Sequence, residues 1–104
     1  MVTRIWHGRT RRERADDYSA FLTMRAIPDY RETEGNLDVT ILRRDDGEVS
    51  HFLTVTRWES EEAIRAFAGD AVLKAKYYPQ DEEFLLEFEP EVQHYTVVAA
   101  SSAL

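Results

Sequence analysis

The spacing of apolar residues switches along the chain between a two-residue period and a three-to-four-residue period. Val2–His7 is a short β-rich stretch that predicts a strand, followed by Gly8 and a polar turn. From Glu13 to Ile27 the apolar residues recur at helical spacing, and Pro28 is expected to end this helix. The apolar stripe of the helix consists of Ala15, Tyr18, Phe21, Leu22 and Ala26.

The middle of the chain predicts a β-hairpin. Residues 31–36 are expected to form a loop, after which Leu37–Arg44 alternates apolar and polar positions. Asp45-Asp46-Gly47 is a strong turn signal, and Val49–Trp58 is the returning strand.

The second half predicts a capped helix and a final strand. Ser60 is a suitable N-cap before the acidic first turn, and Gly69 ends the helix. The elements expected after it are a short helix Ala71–Tyr78, a helical turn Asp81–Phe88, a strand Glu91–Ala99 and a frayed tail 100–104.

The resulting order, β-α-β-β-α-β, is the ferredoxin-like pattern, an α+β fold with helices on one face of a four-stranded antiparallel sheet. The expected strand order is 4-1-3-2. Apolar side chains occur on both faces of the predicted strands, as with Trp6 and Ile5 in the first. An uncovered apolar sheet is a partner site, and a second copy of the chain would cover it. The pattern therefore predicts a homodimer.

Composition narrows the class of protein. With 104 residues the chain is expected to be one domain, with its core over about residues 2–99. The absence of cysteine excludes disulfide scaffolds, thiol nucleophiles and thiolate metal sites. A net charge of −7 argues against unspecific binding to nucleic acid or to an anionic membrane. No apolar run approaches the roughly 20 residues of a membrane span, and no signal peptide is evident, so a cytoplasmic location is expected.

Several short segments resemble the antibiotic biosynthesis monooxygenase (ABM) family. They are Pro28-Asp29-Tyr30 before Gly35-Asn36-Leu37, the junction Val55–Ala63 with its Trp-x-Ser-x-x-Ala pattern, Tyr77-Tyr78-Pro79, and the end from Phe84-Leu85-Leu86 to His94–Val98. The resemblance covers about residues 2–99 and implies a dimeric α+β barrel. The family is functionally mixed: it includes cofactor-free oxygenases that oxidise polycyclic phenols, haem-degrading enzymes and members without known activity.

Cofactor-free oxygenation needs an electron-rich phenol, a group that removes its proton and a pocket that excludes water. The sequence contains no recognised cofactor motif, so no cofactor is expected. By the resemblance, His7 would face the cavity between sheet and helices and act as general base; a structural histidine at a strand end is the alternative. Tyr77 and Tyr78 would orient the substrate or pass a proton, or else form a half-buried aromatic lid.

Arg25 lies within the apolar arc of the first helix. It either extends to solvent or pairs with Asp29 or a bound anion, in which case it could stabilise a phenolate. Trp58 at the strand-to-helix junction would stack on a planar ligand or fill the end of the core. Phe21 and Phe67 complete the apolar wall expected to bind the substrate.

The three histidines, His7, His51 and His94, lie on strands expected to be neighbours, which raises a metal site as an alternative. The antiparallel layout need not bring the three rings to one face, so no metal site is expected. Haem-degrading members use an asparagine, a tryptophan and a histidine at positions that here hold His7, Phe67 and Tyr77. The axial histidine is missing, although haem binding through His7 or Tyr77 stays open.

The leading hypothesis is a homodimeric, cofactor-independent monooxygenase that oxidises a small aromatic or polyketide-like compound with O2. The first alternative is a non-catalytic ligand-binding or stress-response module that uses the same pocket. The second is a haem-binding protein.

Overall fold

A computed structural model describes residues 1–101 and contains one four-stranded antiparallel sheet with the strand order β2-β3-β1-β4. The elements in chain order are β1 (Val2–Arg11), a 3₁₀ turn (Arg12–Arg14), α1 (Ala15–Phe21), a π turn (Leu22–Ala26), α2 (Ile27–Glu32), β2 (Asn36–Asp46), β3 (Val49–Trp58), α3 (Glu61–Ala68), a second 3₁₀ turn (Pro79–Glu83) and β4 (Gln93–Thr96). The ferredoxin-like α+β fold and its strand order are confirmed. Of the tail predicted at 100–104, residues 102–104 lie outside the described residues.

The first strand is longer than predicted. It pairs with β3 along its whole length, from Val2 opposite Trp58 to Arg11 opposite Val49. Gly8 lies inside the strand and does not begin a turn, because the Trp6 ring packs over it. A Cβ atom at Gly8 would lie 2.4 Å from Cη2 of that ring.

Pro28 does not end the first helical region, which continues to Glu32. The hydrogen-bond pattern changes at the π turn, so Ile27–Glu32 begins as a new α-helix and Pro28 stands in its first turn. Proline is tolerated there because an N–H in a first turn need not pair within the helix. The loop predicted at 31–36 shortens to a turn in which Gly35 adopts a φ of 91°.

The helix α3 begins and ends where the sequence predicts: the Ser60 side chain accepts from the Ala63 N–H, and Gly69 closes it with a φ of 89°. The helix predicted at Ala71–Tyr78 does not form. Its backbone groups have other partners, since the carbonyls of Val72 and Lys74 accept from the Arg4 guanidinium. The later helical turn and the last strand are present but are shorter than predicted.

The two faces of the sheet differ in what covers them. On the covered face, against the helices, lie Trp6, Phe52 and Trp58, all of which are buried. On the open face lie the side chains of opposite parity, which are half-buried or exposed. They include Ile5, His7, Arg9, Leu42, His51, Leu53, Val55 and Arg57.

Candidate functional site

A narrow cavity separates the covered face from the helical layer. It is lined by Trp6 and Thr54 from the sheet, by Tyr18, Leu22, Ala26 and Tyr30 from the helical region, and by Lys76, Tyr78 and Asp81 from the segment after α3. Only about 10 Å³ is open to the centre of a water molecule, which is room for about one water. A larger ligand must therefore widen the cavity.

Two polar side chains of this cavity, those of Lys76 and Tyr78, meet at Asp29, which does not itself line the cavity. One carboxylate oxygen, Oδ2, accepts from the Tyr78 hydroxyl at 2.5 Å and from the Lys76 ammonium at 3.0 Å. Partial burial would by itself raise the pKa of Asp29, but these two hydrogen bonds and the charge of Lys76 hold it below its usual value. Burial and the bond to Asp29 raise the pKa of the Tyr78 phenol. Asp29 is thus an ionised carboxylate and Tyr78 a neutral donor.

Two cations flank this group. The Lys76 Nζ lies 4.1 Å from the centre of the Phe67 ring, and the Arg25 guanidinium lies 5.0 Å from the centre of the Tyr78 ring. Arg25 is exposed and Lys76 half-buried. The group formed by Asp29, Lys76 and Tyr78 therefore has cation–π contacts on two sides.

A second carboxylate, Asp81, lies at the buried end of the cavity. It accepts from the Tyr18 hydroxyl at 2.8 Å and from the Tyr78 backbone N–H at 2.6 Å. Burial raises the pKa of Asp81, although both hydrogen bonds oppose the rise. Burial likewise raises the pKa of Tyr18, with the charge of Asp81 adding to it.

The indole N–H of Trp6 is an unsatisfied donor in the cavity wall. Its Nε1 is buried and makes no hydrogen bond to the described residues. The neighbouring Tyr77 ring packs edge-on against Trp6, and its hydroxyl donates to the Glu89 backbone carbonyl at 2.6 Å. The Trp6 N–H lies toward the Tyr77 hydroxyl, because hydrogen bonding with Trp6 opposes the rise that burial causes in the pKa of Tyr77.

The predicted position of His7 is wrong. Side chains alternate along β1, and Trp6 faces the cavity, so His7 points to the open face. The apolar character of both Ile5 and Trp6 concealed this alternation. The expected general base therefore does not line the cavity.

The other predicted site residues fall into three groups. Tyr78 lines the cavity, and Arg25 does not line it but packs over the Tyr78 ring. Trp58 and Phe67 are core residues: Trp58 is fully buried with its Nε1 donating to Thr56 Oγ1 at 2.8 Å, and Phe67 stacks on Tyr30. Phe21 and Tyr77 pack behind the cavity wall, against aromatic neighbours.

Of the alternatives predicted for Arg25, the structure shows the one in which its side chain extends to solvent. A count of 100° per residue placed it among the apolar side chains, but that count does not hold through the π turn that contains it. Such turns often occur at functional sites.

The histidines do not form one cluster. His7 and His51 meet on the open face, whereas His94 lies on the covered side, with its Nε2 2.9 Å from an Arg4 nitrogen. Among residues 1–101, no three histidine, aspartate or glutamate side chains are placed to hold a metal ion.

Sequence reasoning missed Lys76, Asp81, Tyr30 and Trp6 as cavity residues. For Asp81 a signal existed: Pro79 followed by an acidic residue two positions later is a helix-start pattern, and the carboxylate does bind the Tyr78 N–H. No sequence pattern indicated Lys76, because it lies where the helix predicted at Ala71–Tyr78 does not form.

No helix among the described residues has the length and apolar character needed to cross a bilayer.

The fold and the cavity between its two layers define an α+β protein of the ferredoxin-like class. The chain belongs to the antibiotic biosynthesis monooxygenase family, whose sequence model matches residues 1–76. The family resemblance is thereby confirmed. No curated protein sequence matches the chain.

Solved structures of similar fold include two of one haem-related protein. The haem degrader MhuD from Mycobacterium tuberculosis, with two haems in its active site, is 22% identical, with 98% of this chain and 100% of that chain covered and a TM-score of 0.66. A point mutant of MhuD, with two manganese protoporphyrin IX molecules per active site, is 21% identical, with 99% and 100% covered and a TM-score of 0.64.

A proposed antibiotic biosynthesis monooxygenase from Bacillus cereus is also similar. It is 17% identical, the alignment covers 98% of this chain and 97% of that chain, and the TM-score is 0.65. At these identities the likeness establishes the fold and leaves the ligand of this chain open.

Proposed function

We propose that the cavity binds a small phenolic compound and that the protein oxidises it with O2 without a cofactor. The observation that carries the proposal is the ammonium of Lys76, which lines a cavity walled by aromatic rings and binds the carboxylate of Asp29 beside it. Family membership supports the same reaction class.

The aromatic wall would bind a planar ring and exclude water. Trp6, Tyr18, Tyr30 and Tyr78 offer ring faces and edges. Displacement of water strengthens every charge interaction inside the cavity.

Lys76 would then stabilise the oxygen of the substrate bound as its phenolate. Asp29 orients the Lys76 ammonium, because the lowered pKa of this carboxyl makes it too weak a base to take the phenol proton. Solvent takes up that proton when the substrate binds and returns it to the peroxide formed later. The phenolate transfers one electron to O2, and the phenoxyl radical and superoxide combine through a new C–O bond. Loss of water from this peroxide leaves the quinone, so one oxygen atom of O2 enters the product and the other leaves as water. Arg25, over the Tyr78 ring, would attract the anionic form of the substrate.

Oxygen uptake by the full chain with a panel of anthrones and naphthols tests the proposal. We expect uptake that begins only when air is admitted to an anaerobic mixture. Lys76→Met should lower kcat/KM by about 10²-fold, as does loss of one oxyanion donor in other enzymes. Lys74→Met, which removes an exposed lysine two residues away, should leave it unchanged.

Two results would redirect the proposal. If no phenol raises oxygen uptake above the uncatalysed rate, the enzymatic function is rejected. If a phenol then raises the melting temperature without being converted, the non-catalytic binding module is supported instead.

Haem fits the residues of the cavity less well than a phenol does. No histidine lines the cavity, and burial raises the pKa of Tyr30, which disfavours the phenolate that would bind iron. Burial raises the pKa of Tyr77 as well, so a tyrosinate axial ligand is disfavoured at both positions. A haem titration with a Soret shift that Tyr30→Phe removes would contradict this conclusion.

A homodimer, with a second copy on the open face, is part of the proposal. The half-buried and exposed apolar side chains of that face support it.

A further inference from the structure

Arg4 is a buried cation that binds the backbone just before Lys76. Its side chain is 2% exposed, and its guanidinium donates to the carbonyls of Val72 at 2.5 Å and of Lys74 at 3.0 Å. No helix forms in this part of the chain, so these hydrogen bonds replace the helical ones that would otherwise fix it. The position of Lys76 therefore depends on where the Arg4 guanidinium lies.

The third partner of Arg4 is His94, which lies opposite it on the neighbouring strand β4. An Arg4 nitrogen lies 2.9 Å from His94 Nε2. A guanidinium keeps its protons and has no acceptor, so Nε2 must carry the lone pair and the ring proton must lie on Nδ1. The hydrogen bond from Arg4 can therefore exist only while His94 is neutral.

Protonation of His94 would place a second positive charge against Arg4. Among the described residues, the charged groups that act on His94 are Arg4 from β1 and Glu61 from the first turn of α3, whose Oε1 lies 3.9 Å from His94 Nδ1. Glu61 is 56% exposed, so water screens its charge. Burial and then the charge of Arg4 lower the pKa of His94, and Glu61 opposes them only in part.

Arg4 and Lys76 also share a neighbour in the core. Lys76 Nζ lies 4.1 Å from the centre of the Phe67 ring, and the guanidinium carbon of Arg4 lies 6.0 Å from it. Phe67 is itself buried. A displaced Arg4 would therefore change the packing of the ring over which the Lys76 ammonium lies.

We propose that Arg4 and His94 are positioning residues for Lys76: neutral His94 holds Arg4 against the backbone before Lys76, and protonated His94 releases it. The consequence for the substrate rests on the proposed function, in which Lys76 stabilises the phenolate. The arrangement is complete above the ordinary histidine pKa of 6.5 and is lost as pH falls through the lower pKa of folded His94.

Nuclear magnetic resonance of the full chain, from about pH 8 down to about pH 5, tests the positioning without a substrate. The ring current of Phe67 displaces the signals of the Lys76 side-chain protons from those of a free lysine, because the ammonium lies over that ring. In wild type this displacement should be lost with the midpoint at which the His94 ring titrates. His94→Gln offers Arg4 an amide oxygen that does not titrate, and it should keep the displacement throughout.

Two further variants serve as controls. His94→Leu removes the acceptor and should lose the Lys76 displacement at every pH, and His7→Gln, which removes a histidine from the open face, should keep the wild-type pH dependence. If His94→Leu does not fold, the comparison of wild type with His94→Gln still decides. A Lys76 signal that stays constant while His94 titrates, or that moves at the same pH in His94→Gln, would overturn the proposal.

Oxygen uptake with the phenol panel connects the positioning to the reaction. As His94 is protonated, kcat/KM of wild type relative to His94→Gln should fall by up to about 10²-fold, the loss expected from Lys76→Met. No uptake with any phenol would reject the proposed function and leave the magnetic resonance result standing. Uptake with the same pH dependence in both proteins would instead reject the role of Arg4 and His94 in the reaction.

Discussion

The two faces of the sheet contain similar types of residue but differ in how deeply those residues are buried. On the covered face, Phe52 and Trp58 are fully buried, and even the polar Thr56 is shut away from water. On the open face, Leu42 is 47% exposed, and the charged side chains form pairs with one another. One face is a core and the other is a surface with apolar patches.

The difference shows that burial in this chain follows the register of the strands more closely than the hydrophobicity of single residues. Arg4 illustrates it: the side chain is on the covered face, only 2% exposed, and its guanidinium binds two backbone carbonyls and His94. Burial lowers the pKa of Arg4 for lack of a carboxylate partner. On the open face, Ile5 is only half-buried, although it is far more apolar.

The largest expected effect that separates the faces is a loss of stability from truncation of Trp58. Trp58→Ala should lower the free energy of unfolding by about 3–5 kcal/mol, because it leaves a cavity among Tyr30, Phe67 and the helices. Leu42→Ala on the open face should cost less than about 2 kcal/mol, since half of the side chain is already in water. Urea unfolding of both variants measures the two values.

An equal loss of unfolding free energy in Trp58→Ala and Leu42→Ala would contradict the difference between the two faces. It would mean that Leu42 is buried in solution, as a second copy on the open face would require, and the cost would then depend on protein concentration. If Trp58→Ala does not fold, Trp58→Phe retains part of the packing and should still lose more than Leu42→Ala.

The sequence predicts the fold well because the strongest local signals agree with it. The Asp45-Asp46-Gly47 turn, the Ser60 cap and the alternation in β3 each define an element within one or two residues of its observed bounds. The ferredoxin-like order follows from those elements, whereas the family resemblance rests on short segments such as Val55–Ala63 and Tyr77-Tyr78-Pro79. Such signals are local, so they can be recognised without knowledge of tertiary contacts.

The candidate site was only partly predictable, for reasons that are tertiary. Lys76 reaches the cavity because Arg4, from the other end of the chain, binds the backbone before it. The prediction for His7 rests on the family resemblance and is wrong, because Ile5 and Trp6 are both apolar and the pattern of β1 does not decide which parity faces the cavity. Only Tyr78, of the predicted residues, lines the cavity; the catalytic roles of Arg25 and Tyr77 stay predictions.

A smaller effect is expected from Asp81, whose contribution to the free energy of unfolding should change with pH. The folded pKa of Asp81 lies above the unfolded value of 3.8, so the folded state holds its proton more tightly. Wild type should therefore lose stability relative to Asp81→Asn as pH rises from about 3.8 through the folded pKa. Urea unfolding of both proteins between about pH 3 and pH 7 measures the difference.

Asp29 should show the opposite sign, because its folded pKa lies below 3.8. The stability that it contributes over Asp29→Asn should be present above that pH and be lost as pH falls through the folded pKa. The same slope in both comparisons would show that Asp81 is hydrated in solution and that the inner end of the cavity is open to water.

The smallest expected effect lies on the open face, in the ion pair of Arg57 with Asp38. Both side chains are about two-fifths exposed, so water and salt screen their attraction. A double-mutant cycle with Arg57→Met and Asp38→Asn should give a coupling near the limit of detection, and about 1 M NaCl should abolish it. A large coupling that survives salt would mean that the pair is desolvated. In the described part of the chain, no residue covers these two side chains and removes water from them. Such a result would therefore place a second copy on the open face.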